Sequence, residues 1–572
     1  MIILTTYMLR EYMMGLDKVI SIGNWYEVGL LRVELEIGIR RESMMMMSLI
    51  VWITSIVIIY SYWYMGSDSG VNRFIGYLWI FSVAMLILVL ANNIFLSFLG
   101  WESVGIMSFL LINFWSNRSP ENSKSALKAI IFNRVGDIFY ILALLMLGYS
   151  NTNMDYTYSS ITNYISLSLL VAAMAKSAQI ILHPWLGDAM AGPTPVSALL
   201  HAATMVTAGV YLILRYRDIF ILSDSYINEL ILIVGSLTIL FAGLSAINQY
   251  DLKKIIAFST CGQIGYMFFA LALPLPSLGS LFHLLTHGAF KALLFLSAGI
   301  LIHSFLSEQD LRKYGNSIFS FPLTFLLLLS GSLAIVAFPG LSGYISKELI
   351  LISSLELPFF YYLILIFGSF LSTLYSFKLL YLTFFSSSTS SSLYSYSPIY
   401  SNFFYLLPLL ILFLGSIFLG YFLSPIFSSI EDISPHLESF IAHSNSPLYL
   451  LIKSSPILFP ILAILYLTYS HFYPSLPWNL SRFLYIPTSS KLFFDNIFHY
   501  LLLIPSFSLS YQFSYKFLDR GFLEFLGPLN LFRLFFFSSS LLPLSKQSIF
   551  NLPFLFFFLS ISLSLLSIPF LL

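Results

Sequence analysis

Cysteine is almost absent from this chain. Cys261 is the sole thiol in 572 residues, which excludes an internal disulfide and any iron–sulfur cluster or Cys-rich zinc centre built from this chain alone. Charge is scarce as well. Only 9% of residues are charged, against about 25% in soluble domains, so an ordinary water-soluble globular protein is excluded. No G-x-G-x-x-G opens a helix after a strand and no Walker A loop occurs, so nucleotide binding is not expected. The 27 basic and 26 acidic residues nearly cancel, so net charge singles out no partner, and no nucleic-acid partner is expected. The opening MIILTTYMLREYMMGLDK has no clear signal-peptide core and carries acids, so a cleaved targeting segment is not expected.

What is present is apolar length. With 58% hydrophobic residues, the chain repeats apolar runs of about 20 residues, enough to cross a bilayer as a helix. The runs predict an all-α polytopic membrane protein with about fourteen transmembrane helices, near 45–62, 74–96, 98–116, 127–148, 162–182, 196–214, 229–247, 254–273, 279–301, 321–349, 359–384, 403–423, 447–469 and 550–572. The stretch AFPGLSG (337–343) should interrupt its helix near the middle, and discontinuous helices often mark binding or transport sites. Alternate loops carry Arg73, then Arg118, Lys124 and Lys128, then Lys253 and Lys254, then Arg312 and Lys313. The positive-inside rule assigns those loops to the matrix or cytoplasm. The opposite loops hold Arg215 and Arg217 and little else. Basic residues before position 43 (Arg10, Lys18, Arg32, Arg40, Arg41) contradict the rule.

Residues 471–549 mix apolar and charged positions and predict an amphipathic helix along the matrix-side interface, before a final anchor at 550–572. The plainer alternative is an irregular loop, favoured by Pro505 and a Ser-rich stretch. SSSTSSSLYSYSP (386–398) reads as a low-complexity linker.

Ionisable residues inside apolar spans are costly, about 2.5–3.5 kcal/mol each on insertion scales, and are functional candidates for that reason. Here they are Glu102, Asp137, Lys176, His201, His283, His287, Lys291 and Lys347. Each has a bland explanation. Glu102 and Asp137 fall near span ends, and Asp137 lies three residues from Arg134, the spacing of a structural ion pair. Lys176 could snorkel, and His201 could be a hydrogen-bonded core histidine. His283 and His287 are spaced like metal ligands, but no carboxylate or thiol joins them and Lys291 would repel a cation, so a metal site is not expected. Together, three lysines, three histidines and two carboxylates over at least six spans resemble a row of protonatable groups. Burial disfavours a charged lysine, a nearby carboxylate favours it, and histidine titrates near neutrality. Proton relay is the simplest use of such a row.

The segments GWESVG, FNRVGD, MAKSAQ, LHPWLGDAMAGPTPVSALLHAATMVTAGVYL, DLKKIIAFSTCGQIGYM, HLLTHGAFKALLFL and SEQDLRKYG resemble the antiporter-like subunit 5 family of mitochondrial NADH dehydrogenase (respiratory complex I). The resemblance runs from about residue 20 to the C-terminus and is densest over 91–348. FFDNIF and YKFLDRGFLEFLGP are similar to the family's lateral helix, which its paralogues lack. The resemblance implies two inverted five-helix repeats, each with a broken helix, joined by a polar axis at mid-membrane. It implies that Glu102 tunes Lys176, that His201 links toward the centre, that His283, His287 and Lys291 continue the axis, and that Lys347 is the terminal proton-loading lysine. Asp137, Arg134 and Lys254 would support them. It further implies proton translocation across the mitochondrial inner membrane, coupled to electron transfer elsewhere. No cofactor is expected in this chain; NADH, FMN, iron–sulfur clusters and ubiquinone belong to other subunits. Expected partners are other membrane-arm subunits, above all the adjacent antiporter-like one, and phospholipids such as cardiolipin.

Three departures stand out. The family's first two helices have no counterpart in residues 1–43, which predicts an extramembrane segment there and helices supplied by a separate polypeptide. Gly187 and Ala191 stand where Pro and Glu are common, and Lys378 where Arg is usual. The expected organisation is 1–43 extramembrane, 44–73 first span, 74–228 repeat one, 229–402 repeat two, 403–470 further spans, 471–549 lateral helix and 550–572 anchor. Two other functions compete. A sodium/proton antiporter subunit shares the core but would not be expected to have the brace, and sodium would want oxygen ligands rather than lysines. A non-conducting brace would use the lateral segment alone.

Overall fold

The structure is a computed structural model that describes residues 18–28, 31–117, 119–152, 158–273, 278–386, 403–430, 489–541 and 556–562, with isolated positions between 458 and 465. Span 447–469, the linker at 386–398, residues 1–17 and most of 550–572 thus lie wholly or largely outside the described residues.

The chain opens on an antiparallel hairpin, β1 (Lys18–Val28) and β2 (Leu31–Ile39). The hairpin is tied to the next helical layer. Asn92 Nδ2 donates to Glu36 Oε2 at 2.6 Å, and Arg215 donates to the Ala91 carbonyl at 2.9 Å and to Asn92 Oδ1 at 3.0 Å. A Cβ at Gly38 would lie 2.9 Å from the Arg215 guanidinium, so the close approach needs glycine there.

Membrane-length helices follow: α1 (Arg41–Tyr64), α2 (Val71–Leu90), α3 (Ile94–Ile112), α4 (Pro120–Thr152) and α5 (Tyr158–Lys176). Short α6 (Pro184–Asp188) leads to α7 (Thr194–Ala202) and α8 (Met205–Arg215), then α9 (Arg217–Leu222). The second half holds α10 (Ser225–Asn248), α11 (Leu252–Leu271), α12 (Leu278–Ser304), α13 (Pro322–Val336), α14 (Ser342–Ser353), α15 (Phe359–Leu380) and α16 (Phe403–Ile430). The protein is a multi-pass membrane protein of the expected helical class, from which the hairpin over Lys18–Ile39 is a departure. Among the described residues 11 helices are long and apolar enough to cross a bilayer.

Two helices are broken. Between α13 and α14, Ala337 takes a left-handed φ of 69° and Gly340 a φ of 91°, the interruption expected at AFPGLSG. Between α7 and α8, Ala203 (φ −140°, ψ 0°) and Thr204 (φ −125°, ψ −91°) leave the helix, so the single run expected over 196–214 is two helices. The Thr204 hydroxyl donates to the Leu199 carbonyl at 2.7 Å, one of the acceptors the break leaves over. Helix α12 is buried along almost its whole length, packed by α1, α7, α11, α13, α14 and α16. Its residues therefore sit at the centre of the bundle.

Residues 493–572 form a second unit. Helical structure runs from Phe494 to Leu541, with wide π-helical turns at His499–Leu503 and Ser510–Leu523 and an interruption at Gly527. At 1.5 Å per residue that is roughly 70 Å, far longer than one bilayer crossing. Over the described residues 494–541 the expected lateral segment is helical rather than an irregular loop.

Candidate functional site: a buried row of ionisable side chains

The row begins on α3 and α4. Arg134 pairs with Glu102 at 2.5 Å and approaches Asp137 at 3.6 Å. The guanidinium is half exposed while Asp137 is buried, so this end of the row reaches the wall of the bundle. The Trp101 indole N–H donates to Asp137 Oδ1 at 2.9 Å. Lys176, fully buried in the last turn of α5, donates to the Trp101 carbonyl, with its ammonium 4.0 Å from the Trp101 ring centroid.

The α7–α8 break brings His201 inward. It is fully buried, between the rings of Trp185 at 6.4 Å and Phe295 at 6.0 Å, and neither ring nitrogen has a hydrogen-bond partner among the described residues. Such an unmet buried group costs about 1–3 kcal/mol unless solvent satisfies it, which marks the place as a site for water. The neighbouring Ala202 carbonyl lies 3.3 Å from His287 Nδ1, so the break joins the row to α12.

On α12, His287 and Lys291 stand one turn apart, both fully buried. Lys291 donates to Ser259 Oγ at 2.5 Å and to the Ile256 carbonyl at 3.3 Å. His283, one turn the other way, contacts Gln263 Oε1 at 3.1 Å and Ser346 Oγ at 3.0 Å. Ser346 adjoins Lys347 on α14. Lys347, 1% exposed, donates to the Ile335 carbonyl at 3.3 Å, an acceptor at the α13–α14 break, and to Ser372 Oγ at 3.2 Å. Each helix break thus supplies a carbonyl to a titratable side chain.

The structure separates Lys254 from this row. It forms a partly exposed 2.5 Å pair with Asp251. Its neighbour Lys253, which sequence reasoning counted only as a loop charge, is the buried one and donates to the Gly192 carbonyl at 3.0 Å. Ser259 and Gln263 were also missed. Their signal was available, since 253, 256, 259–260 and 263 fall on one face of α11. The departures fare differently. A Cβ at Gly187 would make only ordinary contacts, 3.4 Å from the Phe258 ring and 3.5 Å from the Lys491 stem, so nothing in the structure explains the glycine there. Lys378 donates to the Ile247 carbonyl at 2.5 Å and the Gln249 carbonyl at 2.9 Å, contacts that need no planar fork.

Outside the spans, Asp310 and Glu308 form a charge knot with Arg312 and Lys313. Arg312 holds the Asp310 carboxyl below the ordinary carboxylate range, and Lys313 does the same for Glu308. The Tyr250 carbonyl accepts from Leu311 N at 2.9 Å, pinning the knot to the start of α11. Among the described residues no group of three or more His, Cys, Asp or Glu could hold a metal ion.

Residues 91–374 match the family described as NADH:quinone oxidoreductase/Mrp antiporter, TM, and residues 25–75 match the NADH-Ubiquinone oxidoreductase (complex I), chain 5 N-terminus. The chain is 37% identical over 565 residues to the NADH-ubiquinone oxidoreductase chain 5 of Acanthamoeba castellanii, covering 91% of this chain and 83% of that protein. It is 38% identical over 539 residues to the same chain of Chondrus crispus, covering 87% and 80%. By fold it resembles a chain in the Mrp complex from Dietzia sp. DQ12-45-1b, with a TM-score of 0.71 at 22% identity, over 88% of this chain and 56% of that one. A chain of an archaeal membrane-bound sulfane sulfur reductase matches with a TM-score of 0.65 at 20% identity, over 75% and 88%. Identity of this order over this length, together with both family matches, decides the assignment: the chain belongs to the NADH-ubiquinone oxidoreductase chain 5 family.

Proposed function

We propose that this chain is the antiporter-like, proton-translocating subunit of the membrane arm of NADH:ubiquinone oxidoreductase in the mitochondrial inner membrane. Electron transfer takes place on cofactors of other subunits and drives proton movement out of the matrix here. Each charge moved against 100 mV costs about 2.3 kcal/mol, which the redox reaction must supply. The chain neighbours a second antiporter-like subunit and anionic phospholipids such as cardiolipin.

One observation carries the reading: Lys176, Lys291 and Lys347 are all at most 1% exposed, and His201, His287 and His283 lie between them. Lysines that merely snorkelled would reach lipid headgroups. In this reading Lys176 loads from the Asp137–Glu102 side, the histidines and Ser259 pass protons through bridging water, and Lys347 loads beside its helix break. The outward charge of the Glu102–Arg134 pair gives the neighbouring subunit something to act upon.

Replacing Lys347 by Met in the assembled complex, reconstituted in vesicles, tests this. Protons delivered per NADH oxidised should fall while assembly on native gels stays intact. Unchanged stoichiometry would favour the non-conducting brace, and a sodium-dependent pH response would favour the antiporter.

A further inference from the structure

Three hydroxyls meet in the first half of the bundle, outside the row described above. Ser97 Oγ lies 2.7 Å from the Tyr140 hydroxyl and 2.8 Å from that of Tyr216. They come from three elements: the first turn of α3, the middle of α4 and the residue that ends α8. Tyr140 is 1% exposed, whereas Tyr216 is only partly buried, in the same loop as Arg215 and Arg217. The cluster therefore runs from the interior toward the face opposite the basic loops.

Its inner end adjoins the Lys176 group. The Tyr140 ring lies 5.3 Å from the Trp101 ring, whose indole holds Asp137 and whose carbonyl holds Lys176. Asp137 and Tyr140 are three residues apart on α4, so they share one face of that helix.

Other buried tyrosines show the ordinary arrangement. The hydroxyls of Tyr60, Tyr211 and Tyr266 donate to the backbone carbonyls of Leu296, Val89 and Leu365. A carbonyl accepts and cannot pass a proton on. A hydroxyl donates and accepts at once, and here three stand in sequence.

We propose that Tyr140, Ser97 and Tyr216 form a hydroxyl relay between the Asp137–Lys176 group and the aqueous face beside Arg215, an outlet within the first repeat. The proposal rests on the proton-translocating reading above. A proton reaching the Tyr140 oxygen releases that hydroxyl's own proton to Ser97 Oγ. Ser97 passes its proton to Tyr216, and Tyr216 gives one to outer water. Each O–H bond formed is matched by one broken, and rotation of the three hydroxyls resets the chain. Ser97 is the controlling rotor. Its Oγ also lies 2.8 Å from the Ile94 carbonyl; while it donates there, it only accepts from both tyrosines and the relay is closed. The cationic Arg217 next to Tyr216 disfavours a proton lingering at the mouth, so it leaves rather than accumulates.

The test compares Ser97→Ala, Tyr140→Phe, the double variant, Ser97→Thr and Lys347→Met in the reconstituted complex, reading protons delivered per NADH and uncoupled NADH oxidation. The relay predicts the same loss of proton delivery in both single variants and in the double, because each breaks one series path, with Ser97→Thr restoring it and NADH oxidation unchanged. A structural cluster would give additive losses of assembly instead, and that result overturns the proposal. Normal delivery in Ser97→Ala with reduced delivery in Lys347→Met overturns the relay and leaves the general function standing. Normal delivery in both removes both readings. Should the buried variants fail to assemble, Tyr216→Phe, at the partly exposed end, decides in their place.

Discussion

Each buried lysine of the row donates to a backbone carbonyl: Lys176 to Trp101, Lys291 to Ile256 and Lys347 to Ile335. Two of them, Lys291 and Lys347, also reach a serine hydroxyl. An ammonium makes stronger hydrogen bonds to these acceptors than a neutral amine does, so losing a proton loosens the side chain and links its charge to its position. Lys176 differs in its aromatic and carboxylate company. Replacing Trp101 by Phe removes the N–H that meets Asp137 and leaves a buried carboxylate short of a donor, a loss of roughly 1–3 kcal/mol. The expected reading is a lower melting temperature of the purified complex, with the Arg134–Glu102 pair retained.

At the scale of elements, the two breaks differ in how far the sequence disclosed them. The α13–α14 break is written in Pro339 and Gly340. The α7–α8 break falls at Ala203–Thr204, where no proline or glycine interrupts the apolar run, so hydrophobic periodicity alone reads one helix. Spans are legible because apolar length is a local property, and intramembrane charges because they violate it. Lys253 shares its face of α11 with Ser259 and Gln263, so the polar stripe on that helix, not the single loop charge, records which of Lys253 and Lys254 points inward. The tight approach at the legible break yields a prediction. A Cβ on Gly343 would collide with the Ala334 carbonyl of α13, so Gly343→Ala should cost roughly 1–3 kcal/mol by overpacking and reduce assembled complex on native gels. The Glu308–Asp310 knot yields another. Depressed carboxylates contribute stability that is complete above their ordinary range and is lost as pH falls through their lowered values. Amide exchange over 305–316 should therefore rise on acidification below about pH 4, while the α11 interior stays protected.

Across the whole molecule, Asp188 joins distant parts of the chain. It pairs with Lys128 of α4 at 2.6 Å and with Lys491, 303 residues away, at 2.5 Å. Lys491, near the end of the first unit, thus closes onto the short helix α6. Because both side chains are partly exposed, Lys491→Ala should cost on the order of 1 kcal/mol or less. Its signature is local: faster amide exchange over 184–192 with global melting little changed.

The lone thiol offers a different handle. Cys261 is fully buried on α11, its thiol 3.2 Å from the Ala178 carbonyl, two residues beyond Lys176. A membrane-permeant alkylating reagent can reach it only when α11 and that stretch part. Labelling kinetics followed by mass spectrometry therefore count separations of the two halves beside the first lysine, with no engineered probe, and a rate that tracked respiratory turnover would time this joint against catalysis.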